Sequence, residues 1–210
     1  GMQHRGRISV MATLFQLPYS EVFSYLKEGK VTNTNNDPYA GWMQDVLYHY
    51  GSEILHNNIK IKLLDNPSHL ELASPVVNGY LKSIQENIIK NNAVNKSMSI
   101  ITHGDASFSG QGIVSELFNM KNLKPYDIGG TIHIVVNNQI GFTTNPEETK
   151  SNGYCTDIAK AYNIPIIHVN ADDVESCINV ANLSYQYKMT FQKDILIDLV
   201  GYRRHGHNEG

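Results

Sequence analysis

The sequence predicts an α/β fold in which a parallel sheet is flanked by helices. Apolar runs rich in Val, Ile and Leu end at Gly104-Asp105 and at Asn137-Asn138, and two more lie at 165–172 and 194–202. Nearly continuous apolar runs of this length are typical of strands buried on both faces. Helix-like segments separate them, and this alternation of strand and helix favours a parallel sheet with crossover connections.

The first 30 residues predict two short helices. The apolar-periodic segments VMATLF and EVFSYL carry the helices, with Pro18 and Ser20 between them as breaker and N-cap. The segment that follows, beginning VTNTNNDP, shows no periodic pattern of apolar residues. We therefore expect a mobile Asn-rich loop at 31–46, inserted in a single diphosphate-binding domain over 1–210.

The remaining elements follow in order along the chain. LYHYGS at 47–52 predicts a short strand-like entry, IKIKLL at 59–64 a strand, and DNPSHLE at 65–71 a turn into a helix that ends near Lys90. After the second apolar run, helices are expected at 151–163 and from about Asp173 to Phe191.

Composition narrows the class of protein. The 210 residues carry 41% apolar residues and a net charge of -3, so the chain can bury a core and gives no electrostatic reason to expect nucleic acid. No stretch approaches the length of a membrane span. The two cysteines, Cys155 and Cys177, are too few for a disulfide framework and favour a reducing compartment, although a single bridge stays open.

An Asp and an Asn follow the first two apolar runs. Asp105 and Asn138 are separated by about one crossover, so both are expected at the carboxyl edge of the sheet, where open α/β folds bind ligands. Carboxylate and amide oxygens suit Mg²⁺, which usually keeps phosphate oxygens among its ligands. Turn residues at strand ends are the simpler explanation for either dipeptide alone. Together they favour a site for magnesium and a diphosphate.

Here the residues resemble a known family. Gly104-Asp105, a helix and a strand, then Asn137-Asn138 form the thiamine-diphosphate motif, and the first component of 2-oxoglutarate dehydrogenase is similar in HGDA, GQG, NNQIGFTT, YCTD, HVNADD and YRRHGHNE. GMQHRGR, YHYG and NPSHLE extend the resemblance over the chain, except near 31–46 and 88–97. The resemblance implies a thiamine-diphosphate-binding fold and a fragment of a larger chain.

The resemblance also implies site residues. Asp105, Asn138 and the carbonyl of Ile140 would ligate Mg²⁺. The expected contacts with thiamine diphosphate are Arg5, Leu70, Ala106 and Ser107. Ala106 stands where the wider motif has Gly, which narrows the resemblance to this branch.

The histidines divide into two groups. His4, His49 and His207 lie in polar turns where an imidazole can face a crevice, and they match active-site histidines of the family; Ser68 matches a substrate-binding serine, which would act with His49. For His69, function and a packing role at a helix start stay equally open. His133 and His168 lie in apolar runs and are expected to be core residues, and His103 is expected to support the Gly-Asp turn by hydrogen bonding.

By resemblance, the full-length protein would be a homodimer that decarboxylates 2-oxoglutarate and passes the succinyl group to a lipoyl-bearing succinyltransferase component in the mitochondrial matrix. The chain alone, lacking a second domain for the aminopyrimidine ring, would be inactive. Three alternatives remain: a 2-oxoadipate dehydrogenase first component, a metal-dependent phosphoesterase and a non-catalytic interaction domain. A phosphoesterase would need further carboxylates and histidines for a two-metal site.

Overall fold

The structure is a computed structural model that describes residues 1–28, 47–151 and 153–206 of the chain. It divides into two compact units, the N-terminal unit Met2–His69 and the sheet unit, which consists of Gly1 and Leu70–Gly210. The predicted loop at 31–46 lies outside the described residues, and the assignment of 1–210 to one domain stays a prediction. Within the described part of the chain, no helix combines the length and apolarity needed to cross a membrane.

The N-terminal unit contains two helices and a hairpin. In chain order its elements are α1 (Arg7–Thr13), α2 (Tyr19–Glu28), a 3₁₀ turn at Leu47–His49, β1 (Ser52–His56) and β2 (Ile59–Leu63). The two strands pair antiparallel through Asn57 and Asn58, whose φ angles of 48° and 63° suit a tight hairpin turn. The two predicted helices are present. The strand-like entry predicted at 47–52 is wrong, because the chain makes a 3₁₀ turn over Leu47–His49 and its strand begins at Ser52.

The sheet unit has the predicted alternation of strands and helices. In chain order its elements are α3 (Ala73–Ile84), β3 (Ser99–Gly104), α4 (Asp105–Gly110), α5 (Gly112–Met120), β4 (Thr131–Asn137), β5 (Ile166–Asn170), α6 (Val174–Phe191) and β6 (Ile195–Val200). A π-helical turn over Gln85–Ile89 extends α3 to a point near Lys90, where its end was predicted. The helix predicted at 151–163 is a 3₁₀ helix over Cys155–Tyr162.

The sheet is parallel and has the order β3-β4-β6-β5. The strands β3 and β4 are parallel neighbours, with Gly104 opposite Val136. The residues that follow the two strands therefore lie at the same edge of the sheet. The prediction of an α/β fold with a parallel sheet flanked by helices is therefore confirmed. The helix α4 begins directly at Asp105.

Alternate residues of the strands face two separate cores. On one face, α6 packs against β4, β5 and β6 through the buried residues Ile132, Val169, Ile195 and Ile197. On the other face lie α4, α5 and the 3₁₀ helix, packed through the buried residues Phe108, Val114, Phe118, Val135, Cys155, Ala159, Ile164 and Leu196. Because successive strand residues point to opposite faces, continuous apolar sequence serves both cores.

Candidate functional site

Asp105 and Asn138 meet at the carboxyl edge of β3 and β4, as their positions predicted. Asp105 is the first residue of α4 and is only 3% exposed. Burial raises the pKa of its carboxyl, and Lys150, its own backbone N–H and the N–H groups of Asn138 and Ala106 partly offset that effect. The Asp105 carboxylate therefore lies against the backbone that follows the neighbouring strand.

The oxygen atoms at this edge fit a hard divalent cation. Among the described residues, no ion pair involves the buried Asp105 carboxylate, so a bound cation would offset its desolvation. Asn138 Oδ1 accepts the Ile140 N–H at 3.1 Å, and an amide oxygen has a second lone pair for a ligand. One carboxylate and one amide leave most of an Mg²⁺ coordination sphere to phosphate oxygens and water.

The loop after β4 approaches α4 closely. Gln139 and Phe142 have positive φ angles of 67° and 53°, which turn the chain back on itself. A Cβ atom at Gly141 would lie 3.1 Å from the Cβ of Ala106, tighter than an ordinary contact. The structure therefore brings Ala106 beside the segment that contains Asn138 and Ile140, two of the residues predicted to hold the metal.

Ser107 and Leu70, two predicted cofactor contacts, adjoin a buried residue that the sequence analysis missed. Glu71 follows Leu70 directly and is 5% exposed. Its Oε1 accepts the Ser107 hydroxyl at 2.7 Å, and its Oε2 accepts His103 Nδ1–H at 2.5 Å. The only sequence signal was its place in the NPSHLE stretch, which does not reveal its distant partners.

A line of buried polar side chains continues from this carboxylate across the sheet. His103 Nε2 lies 3.0 Å from His133 Nδ1, and His133 Nε2 lies 3.9 Å from Asp194 Oδ2. Burial, and then the neighbouring His103, hold the pKa of His133 well below its ordinary value. Burial raises the pKa of Asp194 to about 6, although its Oδ1 accepts the Thr131 N–H. His133 is thus the hydrogen-bonded core residue that was expected.

A further buried carboxylate lies on the interior strand β6. Asp198, on β6, accepts hydrogen bonds from Asn137 Nδ2 at 3.0 Å and from His168 Nδ1 at 2.8 Å. The His168 ring also packs on Tyr154, with ring centroids 4.1 Å apart. His168 was expected in the core, yet more than a third of its side chain is exposed, because β5 is an outer strand of the sheet. Its Nδ1 is hydrogen-bonded, but its burial is only partial.

In the N-terminal unit, the structure brings His49 and Ser68 together. Ser68 Oγ lies 2.9 Å from His49 Nε2, and the Asn66 N–H donates to the His49 carbonyl at 2.9 Å. His4 is half-buried at the start of the unit, and Arg5 beside it is exposed. The predicted substrate-binding pair is therefore preassembled within this unit.

His207 and the neighbouring Glu209 lie outside the described residues. Arg203, four residues earlier, donates from Nη1 to the Phe142 carbonyl at 2.8 Å, which ties the segment after β6 to the loop after β4. A cavity of about 310 Å³ has Asn138, Asp172 and Arg204 in its lining. The role predicted for His207 stays a prediction.

Comparisons with known proteins agree with these motifs. A family model described as "Dehydrogenase E1 component" matches residues 2–210. The chain is 48% identical over 217 residues to proteins named 2-oxoglutarate dehydrogenase E1 component from Bacillus cereus strains G9842 and B4264 and from Bacillus anthracis strain A0248. Each alignment covers 100% of this chain and 22% of the relative.

These relatives correct one prediction. The resemblance led us to expect the mitochondrial matrix, but the matched proteins come from Bacillus, and bacteria have no mitochondria. The predicted mitochondrial location is therefore wrong.

Proposed function

The chain belongs to the dehydrogenase E1 component family, and from this premise we propose that it is the diphosphate-binding part of a 2-oxoglutarate dehydrogenase E1 component. The complete enzyme would decarboxylate 2-oxoglutarate oxidatively and pass the succinyl group to a lipoyl arm of a succinyltransferase partner. Since the chain spans 22% of the relatives that it matches, these activities, substrates and partners are proposals for the whole protein.

The observation that carries the proposal is the buried Asp105 carboxylate, which lies against the backbone of Asn138 at the edge of a parallel sheet. Asp105, Asn138 and the Ile140 carbonyl would hold Mg²⁺, and the thiamine diphosphate contacts would be Arg5, Leu70, Ala106 and Ser107. When bound, the cofactor would supply the carbon nucleophile and the electron sink that decarboxylation of a 2-oxoacid needs.

The histidines would act on the substrate. With its hydroxyl bonded to His49 Nε2, Ser68 fixes the orientation of the imidazole ring. In that arrangement His4, His49 and Ser68 would bind the carboxylate and keto oxygens of 2-oxoglutarate, and the active-site histidines, His207 among them, would donate protons near neutral pH. This division of roles follows from the family resemblance and is compatible with the contacts within the N-terminal unit.

We expect the 210-residue chain by itself to be inactive, because the proposed enzyme also needs a second domain for the aminopyrimidine ring, contributed by a partner in a homodimer. The phosphoesterase alternative has little support. A two-metal site needs several carboxylates and histidines, and no group of three or more His, Cys, Asp or Glu among the described residues could hold a metal ion.

Two measurements on the complete protein that carries this chain test the proposal. Titration calorimetry should show binding of thiamine diphosphate that requires Mg²⁺, and 2-oxoglutarate should drive the reduction of an artificial electron acceptor. If 2-oxoadipate drove this reduction faster than 2-oxoglutarate, the proposed substrate would be 2-oxoadipate instead. Failure to bind the cofactor, together with hydrolysis of phosphoesters in Mn²⁺, would replace the proposal by the phosphoesterase. Cofactor binding without turnover would favour a non-catalytic domain.

A further inference from the structure

Glu71 occupies a position that few glutamates occupy. Its side chain is almost fully buried, and its backbone has a φ of +73°, in the left-handed region that L residues with a Cβ atom disfavour. A buried carboxylate in such a backbone persists only when its surroundings hold it in place. The contacts of its two oxygen atoms show what holds it and what it holds.

The two oxygen atoms of this carboxylate bind residues on either side of Asp105, the predicted metal ligand, in the sequence. Oε2 accepts Nδ1–H of His103, the penultimate residue of β3, and Oε1 accepts the hydroxyl of Ser107, in the first turn of α4. Asp105 lies between these two residues in the chain. A single carboxylate therefore ties together the strand end and the helix start that carry Asp105.

His103 is in turn held from its other side. Its Nε2 lies 3.0 Å from His133 Nδ1 on the neighbouring strand, and its ring packs edge-on against Phe108 with centroids 4.9 Å apart. Both histidines are fully buried. The His103 ring has little freedom to rotate, so its hydrogen bond to Glu71 fixes the end of β3 relative to the turn that contains Glu71.

We propose that Glu71 is a positioning residue for the proposed cofactor site: by bonding His103 and Ser107 together, it holds Asp105 in the orientation that Mg²⁺ and the diphosphate require. This inference rests on the proposed function. The Asp105 carboxylate is desolvated and has no ion pair among the described residues, so an unrestrained turn would let it rotate toward water. Groups that orient metal ligands typically contribute 10–100-fold to affinity, and Glu71 takes that role here.

Two substitutions of equal size separate hydrogen bonding from packing. In Glu71→Gln, the amide oxygen can accept from His103 and the amide nitrogen can donate to Ser107, whose hydroxyl can turn to the Gly104 carbonyl 3.0 Å away. Glu71→Met fills similar space and makes neither bond. The matched control is Glu86→Met, at an exposed glutamate of the same unit.

The measurement is the dissociation constant of thiamine diphosphate at saturating Mg²⁺, made by calorimetry on the complete protein that carries this chain. We expect Glu71→Met to weaken binding by about 10–100-fold, and Glu71→Gln and the control to stay within about threefold of the wild type. Equal affinities for the Met and Gln variants would overturn the inference. Absence of binding by the wild type would instead refute the proposed function itself.

A second pair of variants applies if Glu71→Met does not fold, as judged by circular dichroism without cofactor. His103→Asn places its amide N–H near the position of Nδ1 and keeps a donor for Glu71, whereas His103→Gln reaches toward the position of Nε2 and loses it. Both variants remove the ring and its packing equally. Tighter cofactor binding by the Asn variant than by the Gln variant supports the inference, and equal binding by the two contradicts it.

Discussion

Ser68 Oγ and His49 Nε2 lie 2.9 Å apart, although 19 residues separate them in the chain. The backbone brings them together, because the Asn66 N–H bonds to the His49 carbonyl and so ties the turn before Ser68 to the 3₁₀ turn that ends at His49. The contact between the two side chains restricts the orientation of the His49 ring, which the proposed binding of a substrate carboxylate would use.

Ser68→Ala should therefore lower kcat/KM for 2-oxoglutarate about tenfold, which corresponds to about 1.4 kcal/mol, while the affinity for thiamine diphosphate stays unchanged. Steady-state kinetics with an artificial electron acceptor, together with calorimetry of cofactor binding, make this measurement. Ser9→Ala, at an exposed serine of the same unit, is the control. An equal loss of cofactor affinity would contradict a substrate role for Ser68.

Asp105→Asn should separate stability from binding. Burial raises the pKa of the carboxyl and so disfavours its ionised form; a neutral amide of the same shape should therefore leave the free energy of unfolding of the cofactor-free protein unchanged or raise it. Cofactor binding in Mg²⁺ should weaken by about 100-fold, because a charged ligand is lost. Urea unfolding and calorimetry test the two halves. The control is Glu116→Gln, at an exposed position on α5.

Sequence reasoning located Asp105 and Asn138 because their placement depends on local pattern. Each directly follows an apolar run, and parallel strands bring their carboxyl ends to one edge. It also anticipated that His103 would support the turn by hydrogen bonding. It could not find Glu71, because the partners of this side chain lie 32 and 36 residues away in the sequence. Neither the glutamate nor its sequence neighbours indicate the left-handed backbone conformation that it adopts.

Two other misses have the same physical origin. The strand SEILH alternates only weakly, and its pairing with β2 depends on the Asn57-Asn58 turn, so the preceding aromatic segment was mistaken for the strand. His168 lies in an apolar run like a core residue, but the order β3-β4-β6-β5 leaves its strand at an edge of the described sheet. Strand order depends on tertiary packing, which local sequence does not encode.

The buried Asp194 should make stability depend on pH. Its pKa is raised from 3.8 to about 6 on folding, so the neutral form is favoured in the folded state. The stability that it contributes is present below about pH 4 and is lost as the pH rises through about 6, by at most about 3 kcal/mol. The difference in the free energy of unfolding between wild type and Asp194→Asn should therefore fall over that interval.

Urea titrations between pH 4 and 7.5 measure this difference, and titrating groups distant from Asp194 cancel between the two proteins. His133, whose pKa is lowered by burial, contributes in the opposite direction in both; since its Nε2 lies 3.9 Å from Asp194 Oδ2, its contribution does not cancel fully. Asp172→Asn, at an exposed position, is the matched control. A difference that stays constant or increases with pH would show that Asp194 is not destabilised as an anion.

The two cysteines should react at different rates. Burial, and then the nearby Asp198, raise the pKa of the Cys155 thiol to about 12, and its side chain is 3% exposed. Cys177, on α6, is partly exposed. In a thiol-modification assay at pH 8, about one thiol of the folded 210-residue chain, that of Cys177, should therefore react quickly. The Cys155 thiol should react only in denaturant. Cys177→Ser should abolish the fast phase, and a fast phase that survives would mean that Cys155 is accessible.

Arg5 and Arg7, two residues apart in the HRGR turn, should have separate roles. Arg7 is fully buried and donates to the carbonyls of Met2, Tyr50 and Leu64. Burial lowers its pKa to about 10, against the opposing effect of Asp65, so the carbonyls are the main partners that keep the guanidinium in place. Arg5 is exposed and is the proposed diphosphate contact.

Arg7→Met should lower the free energy of unfolding by about 3 kcal/mol or more, since each buried carbonyl left unpaired costs about 1–3 kcal/mol. Arg5→Met should leave stability unchanged and weaken thiamine diphosphate binding about tenfold, because one charge-assisted contact is lost. Thermal unfolding and calorimetry on both variants form a crossed comparison. If Arg5→Met destabilised the fold and left binding intact, the exposed arginine would be structural, and the diphosphate would need another cationic partner.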